Sequence, residues 1–460
     1  MKDVTEFFVN EDAWADLDAE GAAKRLSAAI QCKTVNNGTD FEEFHKLQQL
    51  MRDSYPALMA AGKFELVGHS VLITVPGTDD KLRPALFMSH QDVVPVVEGT
   101  ENDWTHPAFS GDIADGFIWG RGALDIKQQV FGTLEAAEYL LAHGKRFART
   151  VYFAFGEDEE TLNRGAKAIS DLLKSRGVTL EFVLDEGGGK IQSGAPFGAP
   201  DAYISQIDLL EKGYADLELS VKSAGGHSSR PFGGTSLARL AKAIANIVNH
   251  PYPAELSPVA RKAFEAIKPH ITTEPLRSLT ADIDKNADEI AQYCMGVPEL
   301  FPLVTTTIAP TVIRGSSAAC NVMPQNMEAV INFRINCGHT AEEAMERSRR
   351  DINDPEVSLR FLQANDPSAQ ARTDGIGYAK LLESLSRYFS GVVFVPSLTV
   401  GATDAHHYEQ ICPACLRCCP FVGNEADVAR GVHGTDEKLS VRAYAQGIRV
   451  LIDMMSASCL

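Results

Sequence analysis

Five residues could gather around a cation: His90, Asp125, Glu160, Asp185 and His433. Imidazole mixed with carboxylate suits zinc, cobalt or manganese, whereas calcium prefers oxygen alone. If one carboxylate bridges two ions, each ion keeps one histidine and one further carboxylate, with room for water. Two divalent ions at close spacing acidify a shared water and clamp a tetrahedral intermediate. Glu159 stands beside Glu160. One of the two can ligate while its neighbour takes a proton from the activated water and passes it to a leaving amine. Asp92 follows His90 at the spacing that puts two strand side chains on one face. Its carboxylate can then hold the far imidazole nitrogen and fix the tautomer. Taken singly, a His-x-Asp triplet or a Glu-Glu pair is explained as well by the polar end of a strand or by a solvated face. Several such groups at neighbouring strand ends favour a site.

The elements that must position these residues are short apolar runs. Ala85-Leu86-Phe87-Met88, bounded by Pro84, reads as a buried strand that delivers His90. Arg149-Thr-Val-Tyr-Phe-Ala-Phe-Gly156 is a second, ending in Glu157, Asp158, Glu159 and Glu160, and Phe182-Val183-Leu184 a third, ending in Asp185-Glu186-Gly187. Helices are expected over residues 16–34, 41–61, 127–143 and 164–175. Strand, acidic loop, helix, strand is the grammar of a doubly wound α/β domain, in which ligands bind beyond the carboxyl ends of the strands.

After about Asp208 the pattern changes. Gly213 to Lys222 alternates as a sheet with one wet face does, a helix is expected from Ser236 to Asn249, and alternating strands follow at 305–314 and 328–335. The expected organisation is a catalytic domain of residues 1–209 and 365–460 with an α+β domain, 210–364, inserted in it. A helix over 375–389, a strand at 392–395 and a last helix over 439–455 complete the first domain.

The 460 residues exceed what one small core needs, and 45% hydrophobic content is that of a globular protein. A formal net charge of −18 argues against nucleic acid or an anionic membrane as partner. The N-terminus lacks a charged-then-apolar signal pattern and no apolar run approaches membrane-spanning length, so a cytoplasmic protein is the plain expectation. Nine cysteines fit reduced thiols. Cys412, Cys415, Cys418 and Cys419 have the spacing of a thiolate metal site, but no second cluster lies nearby in sequence. A buried strand beginning at Cys418 is the preferred reading.

The order of the motifs resembles the M20 family of metallopeptidases: His90-x-Asp92, Gly120-Arg121-Gly122-x-x-Asp125-x-Lys127, Asp158-Glu159-Glu160, Asp185-Glu186-Gly187, Gly226-His227 and Val432-His433-Gly434. The resemblance covers essentially the whole chain and is nearest to the branch of carboxypeptidase S-like and Gly-Xaa carboxypeptidase-like enzymes and N-acyl-amino-acid hydrolases. It implies the zinc-peptidase fold with an inserted lid domain, and two Zn2+, for which Co2+ or Mn2+ can substitute. Asp125 would bridge, His90 and Asp185 would complete one ion, and Glu160 and His433 the other. Glu159 would be the general base, Asp92 would orient His90, and the Asp125–Ile126 peptide would be cis. On the lid, His227 would polarise the scissile carbonyl, Asn321 would contact substrate, and Arg334 would pair with the substrate's carboxylate. Gly401 would offer a backbone N–H to that carboxylate. The substrate would be a small peptide or an N-acyl amino acid, cleaved next to a free carboxylate, and some members pair two subunits through the lid.

Two positions depart from the family pattern: Glu157 where nearer relatives carry histidine, and Cys337-Gly338 in place of proline-glycine. A non-catalytic scaffold on the same fold would show a missing ligand, and an iron–sulfur reading of the cysteine cluster would require a coloured protein.

Overall fold

The computed structural model describes residues 2–317 and 319–460. Its chain divides into two compact units, one of Met1–Leu210, Ala266–Thr273 and Gln370–Leu460, the other of Glu211–Glu265 and Glu274–Ala369. The larger unit thus reclaims a short piece from within the stretch expected to be insert: the N–H groups of Thr272 and Thr273 donate to the Gly198 carbonyl at 2.9 and 3.1 Å.

A ten-stranded mixed sheet runs through the larger unit. Its centre is parallel: Val151–Gly156 pairs with Ala85–His90, which pairs with Phe182–Asp185, which pairs with Cys415–Arg417. The first three are buried along their whole length, which is why they read as unbroken apolar runs rather than alternating ones. Because they are parallel, their carboxyl ends lie side by side, with His90 in register with Gly156. Neighbouring strands are about 4.8 Å apart, so the acids after Gly156 and those at Asp185–Glu186 flank His90.

Helix Lys127–Ala142 packs on the strand of His90 and between Ala19–Gln31 and Val441–Cys459. Nearly its whole circumference is buried, and Asp125 lies two residues before its start. The helix expected over 41–61 is broken. It is two helices, Glu42–Ser54 and Pro56–Ala61, because proline lacks an N–H and pushes Tyr55 out of helical geometry. The strand expected to begin at Cys418 lies earlier, at Cys415–Arg417, since Pro420 cannot donate to a ladder. Cys412, Cys415, Cys418 and Cys419 are buried free thiols.

The stretch 104–119 carries two short strands. Phe117–Trp119 pairs with both Ile113–Ala114 and Lys438–Ser440. This small sheet joins the segment that follows His433 to the one that leads into Asp125.

The smaller unit is a four-stranded antiparallel sheet in the order Thr307–Arg314, Asn326–Ile335, Gly213–Lys222, Val357–Asn365. Ala215, Leu217, Leu219 and Val221 point to one face and are covered by helices Ser236–Val248 and Ala341–Ile352. The period-2 pattern of the sequence is therefore a sheet with one buried face.

Candidate metal centre

His90 is buried, and its two ring nitrogens have different partners. Nδ1 lies 2.9 Å from the backbone carbonyl of Asp92 and 3.4 Å from its carboxylate. The carbonyl is thus the nearer contact, and the carboxylate of Asp92 also accepts the backbone N–H groups of Glu159 and Glu160 at 3.2 and 3.1 Å. One side chain therefore holds the acidic loop and backs the histidine. With Nδ1–H donating to Asp92, Nε2 is the nitrogen left for a cation.

Nε2 of His90 lies 3.2 Å from Oδ1 of Asp125 and 3.4 Å from Oε1 of Glu186. The other oxygen of Asp125, Oδ2, lies 3.1 Å from Nε2 of His433, which is also 3.1 Å from Oε1 of Glu160. The two oxygens of one carboxylate thus face two different histidines. Three groups of candidate ligand atoms result, His90/Asp125/Glu186, Asp125/Glu160/His433 and His90/Glu159/Glu160, with the atoms of each within 4.8 Å of one another. Donors about 3 Å apart have the spacing of adjacent ligands on one ion bound at about 2.0–2.2 Å, and imidazole with carboxylate fits a first-row divalent metal.

The electrostatics describe the same cluster. Burial works against a charge on His90, but Glu186, Asp125 and Asp92 outweigh it and push its pKa well above the ordinary value. Hydrogen bonds to Asp125 and then Glu160 raise His433 to about 10. Burial opposes ionisation of Asp125, yet the two histidines hold it below the usual carboxylate range. Burial lifts Glu159 well above that range, with His90 pulling it back. These acids are crowded enough that positive charge must enter with them.

Asp185, expected as a ligand, stands beside Glu186 at the end of its strand. Asp185 is buried on the strand end, where its charge is felt by Asp404 and Tyr408, and it joins none of the ligand groups. Glu186, the next residue, has its carboxylate 3.4 Å from Nε2 of His90. Burial pushes Glu186 up to about 7 in spite of that histidine.

Two further acids escaped sequence reasoning. Glu437 is fully buried; one of its oxygens accepts the N–H groups of Gly122, Leu124 and Asp125 at 3.0, 2.7 and 3.0 Å, and the other meets Arg121 at 2.6 Å. It clamps the loop of Asp125 to the segment that follows His433. Its signal was its place in His433-Gly-Thr-Asp-Glu437, close behind a candidate ligand. Asp404 is buried against Gly156, where a Cβ would stand 2.6 Å from its Oδ2, and among the described residues neither of its carboxyl oxygens has a hydrogen-bond partner. Burial and then Asp185 raise its pKa well above the ordinary value. No local pattern marked it.

The Asp125–Ile126 peptide is cis. His227 and Asn321 come together in the smaller unit: Gly226–His227 pairs with Val322–Met323, and the Ser228 N–H donates to the Asn321 carbonyl at 2.9 Å. Arg334 lies on the strand Asn326–Ile335 with its guanidinium 4.7 Å from the ring centre of Tyr214. Gly401 lies in the larger unit, in the turn after Val392–Thr399.

Residues 86–457 match the model of peptidase family M20/M25/M40. A probable carboxypeptidase S-like protein of Dictyostelium discoideum is 32% identical over 95% of this chain and 84% of its own. An N-fatty-acyl-amino acid synthase/hydrolase of Danio rerio is 34% identical over 94% and 85%. The crystal structure of an M20 family metallo-carboxypeptidase from Sulfolobus solfataricus superposes with a TM-score of 0.69 over 95% of this chain and 99% of that one at 17% identity, a likeness of fold. Human carnosine dipeptidase 1 gives 0.63 at 16% identity, over 96% and 97%. With the family model spanning the strands, the acidic loops and the last helix, the chain belongs to peptidase family M20/M25/M40 and is a metallohydrolase of its carboxypeptidase and N-acyl-amino-acid hydrolase kind.

Proposed function

We propose that the protein hydrolyses an amide bond whose leaving group is an amino acid with a free carboxylate, in a small peptide or an N-acyl amino acid, with two zinc ions at the acidic cluster. The observation that carries this reading is Asp125, whose two oxygens face His90 and His433 separately. His90, Glu186 and Asp125 would hold one ion, and Asp125, Glu160 and His433 the other. When bound, such a pair supplies Lewis acidity to a water and to the scissile carbonyl.

The rest of the work falls to the chain. Glu159, next to a ligand and raised in pKa by burial, takes the proton of the attacking water and returns it to the departing amine. Asp92 keeps His90 in one tautomer and holds the backbone of Glu159 in place. His227 takes the role of oxyanion donor, Asn321 that of a substrate contact, Arg334 that of a bidentate partner for the leaving group's carboxylate, and Gly401 that of an N–H donor to it. The smaller unit acts as the lid and as the surface through which two copies associate.

Carboxypeptidase S-like and N-fatty-acyl relatives are both about a third identical, so peptide and acyl-amino-acid substrates are two versions of one reaction. The experiment is a panel of dipeptides and N-acyl amino acids offered to chelated and to zinc-reloaded protein. Hydrolysis that vanishes on chelation and returns with zinc or cobalt is expected. Glu159→Ala should keep its metal and lose about two to four orders of magnitude in kcat; near-normal turnover in that variant would remove the base assignment.

A further inference from the structure

On the sheet of the smaller unit, Arg334 belongs to a square of four polar residues on two neighbouring strands. Gly213–Lys222 and Asn326–Ile335 run antiparallel, with Tyr214 opposite Arg334 and Asp216 opposite Asn332. The residues between them, Ala215 and Phe333, point into the core under the helices. Side chains alternate along a strand, so the four share the other face. All four are half-buried there.

Three of them are joined by hydrogen bonds. The hydroxyl of Tyr214 donates to Oδ2 of Asp216 at 2.7 Å, and Oδ1 of the same carboxylate accepts Nδ2 of Asn332 at 2.9 Å. Burial, and then the bond to Asp216, hold the Tyr214 phenol above its ordinary pKa, so it stays a donor at neutral pH. Tied at its hydroxyl end, the ring keeps one orientation on the sheet. The guanidinium of Arg334 lies over that ring, 4.7 Å from its centre. An arginine side chain has many rotamers, and few of them present two N–H groups together to one carboxylate. A ring that already seats the guanidinium removes part of that ordering cost before substrate arrives. The two contacts do not compete, because the ring meets the face of the guanidinium and a carboxylate meets its edge.

We infer that Tyr214, tethered by Asp216, is a positioning residue for Arg334 and thereby sets the affinity for substrates that end in a free carboxylate. The inference rests on the role proposed for Arg334 and adds to it what holds the guanidinium. Tyr214 acts through the arginine and needs no contact with substrate of its own.

The test uses the N-acyl amino acid or dipeptide that zinc-loaded protein cleaves best, and the carboxamide of the same compound. Tyr214→Leu should raise KM for the acid about three- to tenfold with kcat unchanged, the signature of lost uniform binding. For the carboxamide, kcat/KM should not move. Tyr214→Phe, which keeps the ring and gives up the tether, should fall between Tyr214→Leu and the wild type. A merely structural loss would weaken acid and carboxamide alike and would not be rescued by phenylalanine, and that pattern overturns the inference. Should Tyr214→Leu fail to fold, Tyr214→Thr, suited to a wet strand face, takes its place. Arg334→Ala separates the two levels of the reading. If it loses the acid while Tyr214→Leu keeps the wild-type KM, the positioning role alone falls. If Arg334→Ala itself keeps that KM, the role given to Arg334 falls and takes the inference with it.

Discussion

Asp185 and Glu186 are adjacent acids, and the carboxylate of Glu186 lies 3.4 Å from the imidazole of His90. Which of two neighbours turns inward depends on where the strand stops, and a pair of consecutive acids does not reveal that. Glu186→Gln should therefore lower bound zinc from two equivalents toward one, measured by metal analysis after dialysis, while Asp185→Asn should keep both. The reverse result would restore Asp185 as the ligand. His433 carries its own prediction. Asp125 and Glu160 hold its proton up to about pH 10, and a cation must displace that proton. Apparent zinc affinity should accordingly fall as the pH drops and rise, by up to about tenfold per pH unit for the one proton, as the solution becomes mildly alkaline. Chelator competition across that range measures it, and calorimetry in two buffers of unlike protonation enthalpy counts the proton released.

At the level of elements, the parallel central strands explain why so much of the site was legible. Their apolar runs are readable because both faces are covered, and parallel pairing then sets His90, the Glu159–Glu160 loop and Glu186 at adjacent strand ends. What could not be read is what holds the loops. Glu437 reaches Arg121 and three backbone N–H groups across the chain, a contact made only once Lys438–Ser440 pairs with Phe117–Trp119. Asp404 lies under Gly156 for the same reason: tertiary packing, with no local period, brings it there. The break at Pro56 was readable in principle, since a proline inside a helical pattern ends the helix before it and can start the next. Removing Glu437 would leave Arg121 buried without its carboxylate, so Glu437→Ala should cost about 3–5 kcal/mol of stability. A denaturant melt at fixed metal concentration checks it. Glu437→Gln, which keeps an acceptor for the N–H groups, should recover part of that loss and more of the metal affinity.

Across the whole molecule, every candidate ligand belongs to the larger unit, and they come from five separate stretches of it. No helix among the described residues is long and apolar enough to cross a membrane. The two histidines are not equivalent in their surroundings. The His90 side chain is 1% exposed, whereas that of His433 is 53% exposed and sits on a loop whose backbone is left-handed there, with φ of 58°. One ion would thus be caged and the other would lie near the solvent. Exchange should be biphasic: a chelator strips the His433 ion quickly and the His90 ion slowly, and the residue with a single metal persists long enough to be isolated. Reloading that intermediate with cobalt should then yield a heterometallic protein whose colour reports on the outer position alone.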